Sequence, residues 1–228
     1  MVFMFEEKEK MIFSLLPELR QEADFVIIGG YAVNAYVLPR YSIDCDVVVK
    51  DISSAKTIAL FLESKGFIKR YSKEDFAYSG GFYSFVLKKP LVSFDILISA
   101  VEDRITQTIF PAEKLFAFSS KRKVFAKSFP ASLLLKVVNP EMLFVMKAIS
   151  ARTTDLRDVF MLSSIALDRK KIAKLFFEFK LPENQKQKIL AHAVSKEFRD
   201  SLQSIYGKLP EEQFEQTKKK LLRIIESA

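Results

Sequence analysis

The sequence contains no tryptophan, one cysteine, one histidine and six glycines among 228 residues. The single cysteine, Cys45, excludes an intramolecular disulfide framework and any cysteine-cluster zinc site. A lone His192 leaves the usual zinc sites and histidine-based triads without their imidazoles. Catalysis, if present, must therefore run on Asp, Glu, Lys, Arg, Ser or Tyr. No apolar run approaches the roughly 18 residues that a membrane-spanning helix needs, so no membrane partner is expected. The first ten residues carry Glu6, Glu7 and Glu9 and lack the basic-then-apolar layout of a secretion signal, which points to a cytoplasmic protein.

What is present is a large apolar complement. Hydrophobic residues make up 49% of the chain, enough for a substantial core, and phenylalanine dominates the aromatics with 22 copies. The formal net charge is +8, unevenly spread. Residues 147–228 hold 17 Lys and Arg against 11 Asp and Glu, while residues 1–146 hold 19 against 17. A basic half beside a near-neutral half fits a polyanion partner such as nucleic acid; it equally fits a solvated helical surface.

Along the chain, apolar residues at Met11, Ile12, Leu15 and Leu16 predict a helix over Glu6–Leu19. Phe25–Ile28 reads as a short strand running into a turn at Gly29-Gly30. A helix is predicted over Tyr31–Leu38, stopped by Pro39. Asp44–Val49 reads as a second strand, and Asp51 caps a helix through Ser64 that Gly66 closes. Strands are predicted over Phe67–Tyr71, Phe82–Leu87 and Leu91–Ser99, the last two joined by a turn at Lys88-Lys89-Pro90. A helix fits Glu102–Thr108, and the basic segment Ser119–Lys127 fits a loop or an edge. Leu133–Val138 fits a strand.

From Asn139 onward every pattern is helical. Asn139-Pro140-Glu141 combines a capping side chain, proline in the first turn and an acid at the positive helix end. Further helices are predicted over Asp155–Leu167, Arg169–Phe179, Glu183–Tyr206 and Glu211–Ile225. The expected organisation is α/β (α+β): a small mixed sheet flanked by helices over 1–138, then a helical part over 139–228.

The chemistry concentrates in Gly29-Gly30 and Arg40-Tyr41-Ser42-Ile43-Asp44-Cys45-Asp46. Successive strand side chains alternate faces, so Asp44 and Asp46 point one way while Ile43, Cys45, Val47 and Val49 are expected to point into a core. Two carboxylates on one face repel each other, and a divalent cation makes the arrangement favourable. Asp95 is a third acid, in an otherwise apolar strand, with Glu102 and Asp103 as further candidates. Carboxylates suit Mg²⁺, which prefers hard oxygen ligands and shares its sphere with substrate phosphates. Gly29-Gly30 lets backbone N–H groups approach a triphosphate at the start of a helix whose dipole favours anions. Each residue also has a plainer role: solvated or salt-bridged acids, an ordinary turn, a surface pair for Arg40. Lys147 could simply snorkel from an apolar helix face. Cys45 and His192 fit core positions.

An apolar segment, Gly-Gly, a gap of 13 residues and an Asp-x-Asp flanked by apolar residues resembles the nucleotidyltransferase superfamily related to DNA polymerase beta. Arg40-x-Ser42-x-Asp44-x-Asp46 is similar to one branch, which includes the abortive-infection nucleotidyltransferase toxins of prokaryotic toxin–antitoxin systems. There Ser42 replaces the usual threonine and keeps its hydroxyl, and Gly30 stands for the common serine. The branch has a later lysine, an arginine and an Asp-x-x-Asp; this chain offers Lys147, Arg152, Asp155 and Asp158. Thr154 stands where the branch usually has lysine. The resemblance spans roughly residues 25–162.

It implies Mg²⁺-dependent transfer of a nucleoside monophosphate from an NTP to a hydroxyl. In that reading Asp44, Asp46 and Asp95 are catalytic and hold two metal ions. Asp95 could also accept the proton of the incoming hydroxyl. Gly29, Gly30, Arg40, Ser42 and Lys147 bind the nucleotide, and Asp158 anchors Lys147 or Arg152. The acceptor would be tRNA, another RNA or a protein, and an antitoxin partner is implied. The alternatives are transfer to a small hydroxylated molecule of the aminoglycoside type, or a non-enzymatic RNA-binding protein on the same fold.

Overall fold

Cys45, Val47 and Val49 are all fully buried, as alternation along an acid-bearing strand demands, whereas Ile43, one residue ahead of that strand, is exposed rather than in the core. They anchor the larger of two units in this computed structural model, which describes residues 2–73 and 80–227, with side chains from residue 5 onward. That unit comprises Met1–Ala35, Pro39–Glu102 and Ile109–Val138.

The unit opens with helix α1 (Val2–Glu22), which buries Ile12, Leu15, Leu16 and Leu19 along one stripe. Strand β1 (Val26–Ile27), helix α2 (Gly29–Val33), strand β2 (Asp44–Val49) and helix α3 (Ile52–Ser64) follow. Asp51 caps α3 by accepting from the Ser54 N–H at 2.8 Å. Then come β3 (Ile68–Lys73), β4 (Gly81–Lys88), β5 (Leu91–Ile98), β6 (Ala100–Glu102) and β7 (Ile109–Pro111). Helix α4 (Ala112–Ala117) and strands β8 (Ser119–Phe125) and β9 (Ser132–Val138) complete it. Seven strands form one mixed sheet in the order β3-β4-β5-β2-β1-β9-β8, with β6 and β7 as a separate pair. Only β2–β5 and β1–β9 run parallel. On the face opposite the acids, Val92, Phe94, Ile96, Ile98, Tyr83 and Phe85 continue the core begun by β2.

The second unit comprises Tyr36–Leu38, Asp103–Thr108 and Asn139–Ala228. Its helices are α5 (Pro140–Ser150), α6 (Thr153–Leu162), α7 (Arg169–Phe179), α8 (Glu183–Val194), α9 (Lys196–Tyr206) and α10 (Glu211–Glu226). Asn139 caps α5 by accepting from the Met142 N–H at 3.1 Å. Phenylalanines fill this core: the Phe160 ring lies 5.4 Å from Phe198 and 5.0 Å from Phe214, and Phe144 lies 6.2 Å from Phe176. His192 takes the expected packing role, its ring 5.3 Å from Phe198. Among the described residues no helix is long and apolar enough to cross a membrane.

The helix predicted over Asp155–Leu167 ends at Leu162, and α4 and β7 have no counterpart in the sequence expectation. Three further differences have a visible local cause. The helix predicted over Glu102–Thr108 is instead the β6–β7 hairpin. The Asp103 carboxylate accepts from the backbone N–H groups of Ile105 and Thr106 at 3.1 and 2.8 Å, an Asx turn that competes with helix. The helix predicted over Tyr31–Leu38 starts at Gly29 and ends at Val33, well before Pro39. Asn34 ends it by turning its amide to the Arg40 backbone. The long helix over Glu183–Tyr206 breaks at Ser195, whose hydroxyl caps α9 by accepting from Phe198 N at 3.2 Å.

Candidate active site

Strand register sets the acids. Asp46 and Asp95 are direct partners across parallel β2 and β5, and Asp44 lies opposite Ser93. Their face is the open one: Asp44 is exposed, and Asp46, Ser93, Asp95 and Ser84 are partly exposed. Ser84, opposite Asp95 on β4, donates its hydroxyl to Asp95 Oδ1 at 2.7 Å. Ser93 donates to Asp44 Oδ1. Both serines escaped the sequence reading, because only register brings them beside the acids.

The carboxylates act on their surroundings. Burial pushes the Cys45 thiol well above its ordinary range, and the charges of Asp46, Asp95 and Asp44 push it further. Cys45 is thus the inert core residue expected.

The Gly29-Gly30 turn closes over the same strand. Gly29 sits at φ +66°, in the left-handed region, and a Cβ there would lie 1.9 Å from Asp46 Oδ2. A Cβ on Gly30 would lie 2.4 Å from Ser42 Oγ and 3.2 Å from an Arg40 guanidinium nitrogen. The sheet therefore presses the turn, Ser42, Arg40 and Asp46 into van der Waals contact. Because α2 has five residues, its dipole contributes little, and the case for phosphate rests on close backbone approach.

The segment before β2 is held from beneath. Tyr31 donates its hydroxyl to the Ser42 carbonyl at 3.0 Å, and burial pushes its phenol upward. Ser42 donates to the Asp44 carbonyl at 3.1 Å, and Arg40 to the Tyr41 carbonyl at 3.1 Å. Asn34, fully buried, donates to the Arg40 carbonyl at 2.9 Å and accepts from the Arg40 N–H at 3.0 Å. An asparagine four residues after the glycine pair, in an otherwise apolar run, was a signal available in the sequence.

Replacing Gly29 with alanine is expected to remove activity and lower the melting temperature, because positive φ and the Asp46 overlap act together. Activity assays and a thermal melt check this; unchanged values in both would contradict the packing of the turn on Asp46.

Lys147 belongs to the second unit and is only 8% exposed. Its ammonium lies 2.7 Å from Asp155 and 3.0 Å from Asp158, both fully buried. Arg152 Nε adds a bond to Asp155 at 2.6 Å, and Tyr206 donates to Asp158 at 3.3 Å. Burial raises the Asp155 carboxyl, but Lys147 and Arg152 more than offset it and hold it below its ordinary range. Asp158 thus anchors Lys147, and the exposed Thr154 takes no part in these bonds.

The oxygen donors of Asp44, Asp46 and Asp95 have the hard character that Mg²⁺ prefers. Among the described residues, no group of three or more His, Cys, Asp or Glu side chains is drawn together at metal-ligand spacing. One oxygen each of Asp44 and Asp95 is engaged by serine. The donor chemistry fits a divalent cation, and binding it calls for a turn of those two side chains.

No family model matches the sequence, and no curated protein does. Solved structures do. MenT4, a nucleotidyltransferase toxin from Mycobacterium tuberculosis H37Rv, superposes with a TM-score of 0.62 over 99% of this chain and 85% of that one, at 15% identity. The antibiotic-resistance factor ANT(2'')-Ia superposes with a TM-score of 0.54 over 77% of this chain and 92% of that one, at 14% identity.

Proposed function

We propose that this chain, which has the fold of nucleotidyltransferases, transfers a nucleoside monophosphate from an NTP to a hydroxyl. The observation that carries the reading is the Asp46–Asp95 register pair, with Asp44 beside it and the Gly29-Gly30 turn pressed against it. Asp44 and Asp46 would hold the divalent cation, completed by Asp95. When bound, the metal supplies charge neutralisation on the phosphates and polarisation of the attacking hydroxyl.

The protein's own groups do the rest. The N–H groups of Gly29 and Gly30, in a turn packed against Asp46 and Ser42, would hold phosphate oxygens. Arg40 lies beside Gly30 and adds a positive charge with planar, forked donors. Ser42 orients the strand entry so that Asp44 and Asp46 emerge side by side. Asp95, held by Ser84, is the group placed to take the proton of the acceptor hydroxyl.

An RNA acceptor, with an antitoxin as regulator, fits the likeness to a toxin and the basic charge of the chain. The likeness to an antibiotic-resistance factor favours a small-molecule acceptor as the second reading. Purified protein with each labelled NTP, Mg²⁺ and bulk RNA should give labelled RNA; label on a small-molecule panel but not on RNA selects the second reading. No labelled product with any NTP, together with no NTP-dependent thermal shift, would overturn the enzyme reading altogether.

A further inference from the structure

Strand β8 is the outer strand of the sheet, joined by β9 on one side. Its cross-strand pairs are Lys121 with Lys136, Lys123 with Leu134, and Phe125 with Ser132. Paired residues share a face, so Lys121, Lys123, Phe125, Leu134 and Lys136 stand on one face. Register carries that face across the sheet. Val137 aligns with Ile27, and Ile27 with Val47, so the even-numbered residues of β9 share the face of Asp44 and Asp46. β8 lies three strands from β2, roughly 14 Å at the usual strand spacing. Val26 and Val48, between them on that face, are buried, so the strip is a patch separate from the acids.

The strip has an unusual composition. Lys121 and Lys123 are exposed, and neither pairs with a carboxylate among the described residues. Phe125 is 45% exposed and Leu134 50%. Lysines on an outer strand ordinarily discourage edge-to-edge pairing. That role does not account for an exposed phenylalanine and leucine set among them. The strip also abuts the candidate site's scaffold: Asn34 O accepts from Phe125 N, and Asn34 Nδ2 donates to Phe125 O, each at 3.4 Å.

We propose that the β8–β9 strip is a docking surface for single-stranded nucleic acid. Unpaired cations alternating with an exposed ring are what a single strand requires: phosphates meet Lys121 and Lys123 while a base stacks on Phe125. Duplex offers no free base face to that ring, and a fully acidic protein partner makes no use of it.

The test is fluorescence anisotropy of the full chain with a labelled oligouridylate, without NTP or metal, so its outcome stands apart from nucleotidyl transfer. The double variant Lys121→Gln/Lys123→Gln should bind about 10-fold more weakly. Its log-affinity against log-salt slope should fall by about 1.4, two phosphate contacts' worth on single strands. Phe125→Ala should weaken binding about 5-fold or more with the slope unchanged. Lys170→Gln/Lys174→Gln, which removes equal charge from exposed positions on α7, should bind like wild type. Equal weakening by both double variants, equal affinity for duplex, or no effect of Phe125→Ala overturns the proposal. Thermal melts confirm that each variant is folded.

Discussion

Replacing Asp46 with alanine is expected to abolish nucleotidyl transfer, by at least about 10³-fold, in a protein that remains folded. Asp46 is the acid on which the candidate site converges. It faces Asp95 across two parallel strands, shares a face with Asp44, and packs against the Gly29 backbone. On the proposed reading, removing it takes away a metal ligand. It also removes like-charge repulsion among three carboxylates. In metal-free buffer the melting temperature should therefore hold or rise. Metal-free melts beside the labelled-NTP assay check both halves. A large fall in melting temperature would show Asp46 to be a structural acid, and retained activity would move the chemistry elsewhere.

The second large effect concerns stability. Lys147→Ala should cost about 3–5 kcal/mol, because it leaves two buried carboxylates facing each other without their shared ammonium. Asp155 keeps Arg152 and Asp158 keeps the Tyr206 hydroxyl, so α6 loses its tie to α5 without losing every partner. For a chain of this size that is about 10 °C or more in melting temperature. A shift of a degree or two would mean that these ion pairs do not hold the helices together.

The same cluster predicts an acid limb. The Asp155 carboxyl sits below its ordinary value of 3.8 in the folded protein. Its contribution is therefore present above that value and lost as pH falls through the lower, folded one. In Lys147→Ala the same buried carboxyls lose the ammonium that held them down, so burial and their mutual repulsion raise their titration. The stability gap between wild type and variant should therefore be widest near neutrality and narrow progressively on acidification, closing as pH falls through the lowered wild-type Asp155 value. Denaturation curves from neutral to acid pH check it; a gap that stays constant as pH falls would contradict it.

Elements with strong local signals were legible. β2 follows from its apolar run, α3 from the Asp51 cap, and α5 from Asn139-Pro140. The misses share a cause: a polar side chain with two local uses. Asp103 turned a helical pattern into a hairpin, Asn34 cut a helix short, and Ser195 split into two helices the predicted core-facing stripe of Ile189, Ala193, Phe198, Leu202 and Ile205, of which the first four are buried and Ile205 is only half-buried. For the candidate site, spacing placed Asp44 and Asp46 on one face. That Asp95 lies directly opposite Asp46 on the neighbouring strand is a matter of sheet order and register. Ser84 and Ser93 depend on register alone.

The parallel pairing of β2 with β5 also bears on how the chain reaches this state. Asp44 and Ser93 meet across 49 residues of sequence, which include the whole of α3, β3 and β4. No local hairpin can assemble such a pair; the crossover must close first, against its loop entropy. Asp95 reaches Asp46 only once β2 and β5 have paired. A nascent or partly unfolded chain therefore carries every acid yet keeps Asp95 apart from Asp44 and Asp46.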